Sequence, residues 1–268
     1  MHKTYPILIK VPSELSFLKP TPTSQILHLG NKHDGGYVIS RSVLNQTEEL
    51  VSYGLGHDIS FENEFNTQCR NPIKISVYDH TVRKPNWFVL FTLRIYKLAR
   101  PKTTRSFYYK KWLKDYKTFF KTNQHIRKKV ISKGNNNGEI SAIETIPTNS
   151  LNKVFLKIDI EGDEYDVLDS LNMEIAEFTG LAIEFHCVSL NFSKFKDLII
   201  KLRKSHNLVY VHANNFSNIS ELGIPEALEI SFVRKDLDSD FVDLDKINTN
   251  DFDFANSVRR PPYILLFS

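Results

Sequence analysis

The sequence predicts an α/β fold built on a doubly wound, mainly parallel β-sheet. Short apolar runs typical of strands alternate with amphipathic stretches typical of helices, which is the pattern of parallel sheets. The strand-like runs are rich in Val, Ile, Leu and Phe and alternate little at their centres, as expected when both faces of the sheet are covered. The 268 residues suffice for one large domain or two small ones, and we expect a single domain over 1–268.

Seven runs are predicted to be strands. They are ELVSYGL (49–55), KISVYDH (74–80), VFLKIDI (154–160), GLAIEFHCV (180–188), LVYVHAN (208–214), ALEISFVR (227–234) and PPYILLFS (261–268). Three stretches between them are predicted to be helices: SFENEFNTQC (60–69), DEYDVLDSLNMEIAEF (163–178) and FSKFKDLIIKLRKS (192–205). In the last, Phe195, Leu198, Ile199 and Leu202 follow the i, i+3, i+4, i+7 spacing of an apolar helix face.

The composition is that of an ordinary globular protein, with 41% hydrophobic and 25% charged residues. The two cysteines, Cys69 and Cys187, are too few for a disulfide-rich secreted scaffold or a cysteine-based zinc site, and they favour a reducing compartment. The first residues, MHKTYPILIKVPSEL, contain no long apolar segment and no small-residue cleavage site. We therefore expect a cytoplasmic protein without a signal peptide.

Positive charge is concentrated in one segment, which we call the basic segment (residues 82–130). It holds fifteen Lys and Arg against a single acid, Asp115, so it carries +14 while the whole chain carries +4 and the remainder −10. Aromatic residues are interleaved with these cations. The segment is predicted to be a helical insertion, and its function has three interpretations: a lid over the active site, a surface that recruits an anionic substrate, or a contact with an acidic membrane surface.

Two other functions of the basic segment are disfavoured. Its apolar part, Trp87 to Leu98, would span only ~18 Å as a helix, which is too short to cross a bilayer. Lys and Arg also neutralise nucleic-acid phosphates, but no RNA- or DNA-binding module accompanies the segment. We therefore expect no nucleic-acid partner.

Polar residues follow five of the predicted strands. The strand ends read GLGHD, DHT, DIEG, EFH and HANN in chain order. In open α/β sheets, ligands bind beyond the carboxyl ends of the strands. Five such ends in register predict a site along that edge.

The first of these ends offers a glycine turn. Gly54 and Gly56 permit positive φ and close approach of the backbone to a ligand, although a plain turn is an alternative. Asp79 ends the next strand, 25 residues after Gly54, where an acid can accept hydrogen bonds from both hydroxyls of a ribose. Ile59 interrupts a full GxGxxG motif, so the pattern favours a mononucleoside-type cofactor over a dinucleotide.

Four motifs together resemble the FkbM-type S-adenosylmethionine-dependent methyltransferases, in particular the branch with a DGGY sequence. They are HDGGYVI (33–39), VSYGLGHDISFE (51–62), VYDHT (77–81) and LKIDIEGDEYDVL (156–168). The resemblance runs from about residue 28 to 235, interrupted by the basic segment. It implies a Rossmann-like class I methyltransferase fold with S-adenosyl-L-methionine as the cofactor.

The resemblance also implies roles for individual residues. Gly54, Gly56 and Asp58 would line the methionine and ribose part of the cofactor, and Asp79 would bind the ribose hydroxyls. The chain departs from the family at Ser52, where an acid is common, and this puts the contact to the methionine amino group in doubt. The DGGY turn would close over cofactor or substrate, which makes Asp34 and Tyr37 candidate substrate residues.

Five carboxylates crowd the stretch FLKIDIEGDEYDVL: Asp159, Glu161, Asp163, Glu164 and Asp166. Gly162 divides them. After it, Asp163 is predicted to be a helix N-cap, with Asp166 in an arrangement resembling a capping box, while Glu164 suits either the first helical turn or the family pattern. Before it, Asp159 and Glu161 end a buried strand, where an acid has no structural purpose, and both are functional candidates.

Methyl transfer to oxygen needs an aligned acceptor that loses its proton to a base or under the influence of a metal. Asp159, His186 and His212 are the predicted catalytic residues. Glu161, Glu184 and Asn214 are predicted to contact the substrate. The Asp, Glu and His side chains would also suit a divalent Mg²⁺ or Mn²⁺ ion, with Asp159, Glu184 and His212 as its predicted ligands.

The predicted activity is O-methylation of a small carbohydrate or other polar hydroxyl compound. By the resemblance alone, the acceptor would be an activated precursor of a surface polysaccharide. The interpretation of the basic segment as a recruiting surface adds that this acceptor would be anionic, such as a phosphorylated or nucleotide-linked sugar. A competing hypothesis keeps the fold without catalysis: a binding protein that uses the basic segment on a membrane surface. Binding of S-adenosylmethionine discriminates the two.

Overall fold

The computed structural model describes residues 5–23, 25–82, 105–134, 136–172, 174–238 and 252–267. The strands are β1 Ile7–Lys10, β2 Ile26–Leu29, β3 Tyr37–Ser40, β4 Glu49–Tyr53, β5 Lys74–Tyr78, β6 Gln124–Ile126, β7 Lys129–Ile131, β8 Glu139–Ser141, β9 Val154–Ile158, β10 Gly180–Phe185, β11 His206–Ala213, β12 Leu228–Arg234 and β13 Tyr263–Leu266. The α-helices are α1 Val43–Gln46, α2 Ser60–Gln68, α3 Arg105–Phe119, α4 Ala142–Thr145, α5 Glu164–Leu171 and α6 Phe192–Ser205.

A seven-stranded sheet organises the molecule, in the order β11-β12-β10-β9-β4-β5-β6. Strand β12 runs antiparallel to both of its neighbours, and the other pairs are parallel. Numbered along the chain and read from the β6 edge, the order is 3-2-1-4-5-7-6. This is the standard doubly wound order with an antiparallel strand inserted before the last one. The predicted Rossmann-like fold of the class I methyltransferase type is confirmed.

Helices and a hairpin cover the two faces of the sheet. Helices α5 and α6 pack on one face, where Phe185 and Phe195 belong to one buried apolar cluster. On the other face, α2 and the β2–β3 hairpin contribute Phe61 and Tyr37 to a second cluster. This double coverage explains why the central strands are almost wholly buried and alternate so little in sequence.

The predicted central strands all exist, but one predicted helix is shorter than expected. The helix predicted over 163–178 ends at Leu171, and a short 3-10 turn over Glu174–Glu177 follows. Asn172 adopts a positive φ of 43°. Asn tolerates such a conformation better than most residues, and a chain that adopts it cannot continue as a right-handed helix.

The second half of the basic segment is part of the sheet architecture. Helix α3 connects β5 to β6, and Tyr116 and Phe119 on it are buried in a core cluster. Strand β6 pairs in parallel with β5 at the sheet edge. The prediction that all of 82–130 is an insertion is therefore corrected for this half, which is a crossover connection of the fold.

The other part of the basic segment, residues 83–104, lies outside the described residues. The interpretations that rest on Trp87–Leu98 therefore concern residues that the structure does not describe. Among the helices that the structure does describe, none combines the length and the apolar character needed to cross a membrane.

Candidate functional site

A cavity of about 600 Å³ lies at the carboxyl ends of the central strands. Residues from all five polar strand ends line it, together with the turn that precedes β3. The predicted site residues in its wall are Asp34, Gly54, Gly56, Asp58, Asp79, Asp159, Glu161, Glu184, His186 and Asn214. Two predicted site residues are not in the wall, Tyr37 and His212.

The loop after β4 requires glycine at one position for packing. Gly54 has φ = 77°, and a Cβ atom built on it would lie 1.6 Å from the carbonyl oxygen of Asp159. Strands β4 and β9 diverge here in their onward connections, so this is the switch point of the sheet. Gly56 has φ = 56°, but a Cβ there would meet open space. Gly54 therefore permits a close backbone approach, whereas Gly56 leaves room in the cavity.

Asp79 holds this glycine loop. Its Oδ2 accepts hydrogen bonds from the backbone N–H groups of Leu55 (2.7 Å) and Gly56 (3.1 Å). Its Oδ1 accepts from the Thr81 N–H and hydroxyl and from the Val82 N–H. Burial opposes ionisation, but these hydrogen bonds outweigh it and lower the pKa of Asp79. A carboxylate has about four acceptor positions, so a ribose hydroxyl would have to share acceptors that are already in use.

A buried ion pair lies beneath the loop. Lys157 is 4% exposed, and its Nζ lies 2.7 Å from the Gly54 carbonyl oxygen, 3.7 Å from Oε1 of Glu62 and 3.9 Å from Oδ2 of Asp159. Burial lowers the pKa of Lys157, but the charges of Glu62 and Asp159 outweigh this and raise it, so the amine stays protonated. Ser52 donates to Glu62 at 2.7 Å. The carboxylate of Glu62 on α2 therefore lies beside Ser52, the position in β4 where the resemblance leads us to expect an acid.

Asp159 occupies the centre of an acidic wall. The hydroxyl of Tyr37 donates to its Oδ2 at 3.3 Å, which places Tyr37 behind the wall as a support. Burial raises the pKa of Asp34, and the charges of Asp159, Asp58 and Glu161 raise it further. The charge of Lys157 lowers the pKa of Asp34 but does not outweigh these effects, so the carboxylates of the wall act on one another in one region of the cavity.

His186 faces the same wall. Its Nε2 lies 3.5 Å from Oε2 of Glu161 and 3.7 Å from Oε1 of Glu184, while its Nδ1 lies 3.0 Å from Oε1 of Glu164. Burial lowers the pKa of His186, but the hydrogen bond to Glu164 and the charge of Glu184 raise it to about 9. Burial raises the pKa of Glu184 well above its usual value, and the charge of Asp159 adds to this.

The five crowded carboxylates differ from the predicted capping arrangement. Asp163 is at the N-cap position, but its side chain makes no capping hydrogen bond and pairs instead with Lys129 at 2.5 Å. Asp166 pairs with Lys194 at 2.7 Å. The predicted capping box is therefore wrong, because the buried Glu164 satisfies the turn in its place.

Glu164 accepts hydrogen bonds from the backbone N–H groups of Ile160 (3.2 Å) and Gly162 (2.9 Å). These bonds hold a turn in which Glu161 has a positive φ of 58°. Strained backbone of this kind is concentrated at functional sites in proteins. The side chain of Glu161 is 85% exposed at the cavity mouth.

His212 is placed away from the cavity, which corrects its predicted grouping with Asp159 and Glu184. Strand β12 lies between β10 and β11, so a strand separates His212 from Glu184. The segment 252–257 covers the imidazole: Nε2 lies 2.8 Å from Oδ1 of Asn256, and Nδ1 lies 3.4 Å from Oδ1 of Asp253. The three potential ligand groups that the structure does bring within 4.8 Å of one another are those of Asp159, Glu184 and His186.

The sequence reasoning missed several residues of the site. Lys157 could have been found, because it is a lone charge in the middle of the apolar run VFLKIDI, and a charge inside a buried strand needs a partner. Phe216 follows the HANN motif and lines the cavity although it is 53% exposed. Lys128 also lines the cavity. No local sequence pattern predicts that Glu164 orients His186.

No family model matches the chain, and no curated protein matches it either. Solved structures do. The fibrillarin pre-rRNA processing protein of Methanococcus jannaschii is 8% identical, with coverage of 72% of this chain and 68% of that one and a TM-score of 0.34. A methyltransferase described as putative from Thermoplasma acidophilum is 7% identical, with coverage of 71% and 70% and a TM-score of 0.34.

A third solved structure is the precorrin-6y C5,15-methyltransferase of Geobacter metallireducens. It is 11% identical, with coverage of 73% of this chain and 85% of that one and a TM-score of 0.35. At TM-scores this low, the assignment of the fold rests on the strand order, and the interpretation of the site rests on its own geometry.

Proposed function

We propose that the protein is an S-adenosylmethionine-dependent methyltransferase that methylates a hydroxyl oxygen of a sugar or another polar compound. The observation that carries the proposal is the position of the cavity. It opens at the carboxyl edge of the sheet, at the switch point where Gly54 contacts the end of β9. Ligands of doubly wound sheets bind there. The FkbM-type resemblance supplies the identity of the cofactor and of the reaction.

The cofactor fits the charge and the size of the cavity. S-adenosylmethionine carries a positive sulfonium and a positive amino group, and the wall offers the carboxylates of Asp58 and Asp159. The volume of about 600 Å³ lies within the usual range of about 300–1,000 Å³ for small-molecule sites. In the proposal, Gly54, Gly56, Asp58 and Asp79 form the cofactor side. Asp79 acts there mainly through the loop that it holds.

The reaction is a single displacement. A lone pair of the acceptor hydroxyl forms a bond to the methyl carbon, and the bond from sulfur to that carbon breaks with its electron pair returning to sulfur. S-adenosylhomocysteine is the product. The hydroxyl proton passes to Glu161, whose exposed carboxylate can release it to water. Asp159 and His186 align the acceptor. A positioned general base such as Glu161 typically raises the reaction rate ~10²–10⁴-fold.

The acceptor side combines polar and aromatic groups. Glu184 and Asn214 present a carboxylate and an amide, and Phe216 presents a partly exposed ring. Hydroxyl groups of a sugar can donate to the carboxylate and amide oxygens, and the C–H faces of its ring can pack on Phe216. Lys128 has no ion-pair partner among the described residues and is available for a phosphate, which supports a phosphorylated or nucleotide-linked acceptor. A role in surface polysaccharide synthesis rests on the resemblance alone.

Calorimetric titration with S-adenosylmethionine and S-adenosylhomocysteine tests the proposal. We expect saturable binding of both, with Kd values between about 1 μM and 1 mM, the common range for enzyme substrates. A folded protein that binds neither compound would overturn the proposal and favour the binding-protein hypothesis.

A matched pair of glycine variants locates the bound cofactor. Gly56→Leu adds a side chain in open space within the cavity wall, at φ = 56°. Gly138→Leu adds the same side chain in open space at a residue that does not line the cavity, at φ = 94°. Both variants strain the backbone, but only Gly56→Leu should weaken binding of S-adenosylhomocysteine, by at least ~10-fold. Equal binding by the two variants would place the cofactor elsewhere.

A further inference from the structure

The acceptor side of the cavity contains more carboxylates than cations. Asp34, Asp159, Glu161 and Glu184 line it. The single charge of Lys157 is shared between Asp159, at 3.9 Å, and the buried Glu62, at 3.7 Å. Like charges this close repel one another in a partly dry cavity. The arrangement therefore has a place for an added cation beyond the sulfonium of the proposed cofactor.

Three side chains of this wall lie close enough together to serve as metal ligands. One ligand atom from each of Asp159, Glu184 and His186 lies within 4.8 Å of the other two. Mg²⁺ and similar ions hold oxygen ligands at about 2.0–2.1 Å, so the ligand atoms around such an ion lie roughly 3–4 Å apart. Separations of up to 4.8 Å would have to shorten by about 1–2 Å to reach that spacing, which side-chain rotations can supply.

Glu184 is the most buried of these three side chains. Glu184 is 6% exposed, and its Oε1 accepts a hydrogen bond from Nδ2 of Asn214 at 2.6 Å. Its other oxygen, Oε2, has no hydrogen-bond donor among the residues that the structure describes. A carboxylate in a largely buried position is costly unless hydrogen-bond donors or a cation lie around it.

The neighbours of the three groups orient them. Glu164 is fully buried and accepts the Nδ1–H of His186, which directs Nε2 toward Glu184. An ion bound there would displace the proton of Nε2 and use the lone pair that this frees. Nδ2 of Asn214 donates to Oε1 of Glu184 and fixes the orientation of that carboxylate. In metal centres, a carboxylate on the far nitrogen of the ligating histidine and hydrogen bonds to the ligating carboxylates are the usual second layer of contacts.

We propose that Asp159, Glu184 and His186 bind one divalent cation of the Mn²⁺ type, with open coordination positions toward the cavity. Two carboxylates and one imidazole form a mixed oxygen and nitrogen set, which suits Mn²⁺ better than Mg²⁺ because Mg²⁺ prefers oxygen alone. The inference rests on the proposed function and deepens it. A cation at this place offsets the carboxylate excess and acidifies a bound acceptor hydroxyl.

The test is a titration of the full chain with MnCl₂ alone, without cofactor or acceptor, followed by electron paramagnetic resonance. Free Mn²⁺ gives a six-line signal that is lost on binding. We expect one ion per chain, and a ¹⁴N coupling in the bound spectrum from the imidazole of His186. A folded wild-type protein that binds no Mn²⁺ overturns the proposal.

Conservative variants locate the ion. Glu184→Gln and His186→Gln should each lower the Mn²⁺ affinity by at least ~10-fold, and His186→Gln should remove the ¹⁴N coupling. The matched control is Asp166→Asn, which removes an exposed carboxylate that pairs with Lys194 outside the cavity wall and should leave binding unchanged. Circular dichroism confirms that each variant is folded. Binding that survives both active variants would put the ion elsewhere and also overturn the proposal.

The outcome is independent of the proposed methyltransferase activity. The titration contains no cofactor, whereas calorimetry with S-adenosylhomocysteine reports cofactor binding without a metal. A protein that binds the cofactor but no Mn²⁺ would be a metal-free methyltransferase. A protein that binds Mn²⁺ but no cofactor would retain the site and lose the proposed function.

Discussion

Nδ1 of His186 lies 3.0 Å from Oε1 of Glu164, and Glu164 is fully buried at the start of α5. The same carboxylate accepts hydrogen bonds from the backbone of Ile160 and Gly162. One side chain therefore shapes the turn after β9 and orients the imidazole after β10. The turn and the histidine belong to different strand ends, so this contact couples two parts of the site.

Glu164→Gln tests this coupling. The amide keeps an oxygen for the backbone N–H groups but loses the charge that holds the Nδ1–H of His186. We expect the Mn²⁺ affinity to fall ~10–100-fold, the usual cost of removing such a contact behind a metal ligand. The ¹⁴N coupling of bound Mn²⁺ should change as well, which a purely structural role would not cause. Unchanged affinity and coupling would show that Glu164 serves the turn alone.

Lys157→Met tests the buried ion pair. The change leaves the carboxylate of Glu62, which is 1% exposed, without its cation. Breaking a buried pair in this way typically costs about 3–5 kcal/mol of unfolding free energy. The control is Lys153→Met, which removes an exposed lysine from its pair with Glu48 and should cost less than about 1 kcal/mol.

Chemical denaturation of both variants measures the difference. The double variant Lys157→Met/Glu62→Leu should lose less stability than Lys157→Met alone, because no buried charge remains unpaired. Equal losses for Lys157→Met and Lys153→Met would contradict the interpretation that the Lys157–Glu62 pair is a structural support of the site.

Gly54→Ala tests the close approach at the switch point. A Cβ atom 1.6 Å from the Asp159 carbonyl oxygen forces the backbone of β4 or β9 to move. We expect a loss of roughly 4 kcal/mol or more, at the upper end of single-substitution effects. Gly56→Ala meets open space and should cost only about 1–2 kcal/mol for its left-handed backbone. Thermal denaturation compares them, and similar melting temperatures would argue against the packing described here.

The His212 cluster predicts a loss of stability at alkaline pH. Burial lowers the pKa of His212, but Glu229, Asp253 and the hydrogen bond to Asn256 raise it to about 9. The protein therefore binds a proton that the unfolded chain releases near 6.5. The stabilisation is complete below that pH and is lost as the pH rises toward about 9, with a maximum of about 3 kcal/mol.

Glu229 also makes the folded protein less stable as the pH rises. Burial raises its pKa to about 7, so the folded protein also holds this proton longer than the unfolded chain does. His28, which faces the cluster from the hairpin, has its pKa lowered to about 4 by burial and is neutral throughout this range. Denaturation between pH 6 and 10 for wild type and His212→Gln measures the effect. A variant with the same pH dependence as wild type would exclude His212 as its source.

The central strands and helix α6 could be predicted from the sequence because their signals are local. The apolar runs that became β4, β5, β9 and β10 and the apolar spacing that became α6 depend on neighbours a few residues apart. Strand β6 was missed because it is short and lies inside the basic segment. The helix after β9 was predicted too long because the conformation of Asn172 is not visible in the apolar pattern.

The sequence by itself determined the fold class and brought the polar strand ends to one edge, since alternating strands and helices have few other ways to bury their apolar faces. It did not decide which side chains meet there. His186 and His212 both lie at or near the ends of predicted strands, yet only His186 lies beside Asp159 and Glu184. Glu229 of β12 lies in register between His212 and Glu184, and the segment 252–257 covers the imidazole of His212. Asn214, two residues further along, still reaches Glu184 across the same strand.

The contacts that shape the site are also long-range. Lys157 pairs with Glu62 across 95 positions of the chain, and His186 with Glu164 across 22. Such pairs depend on the strand order, the register and the direction of each side chain, none of which a local pattern records. Only the tertiary structure therefore separated the carboxylates that support the turn and the ion pair from those that face the cavity.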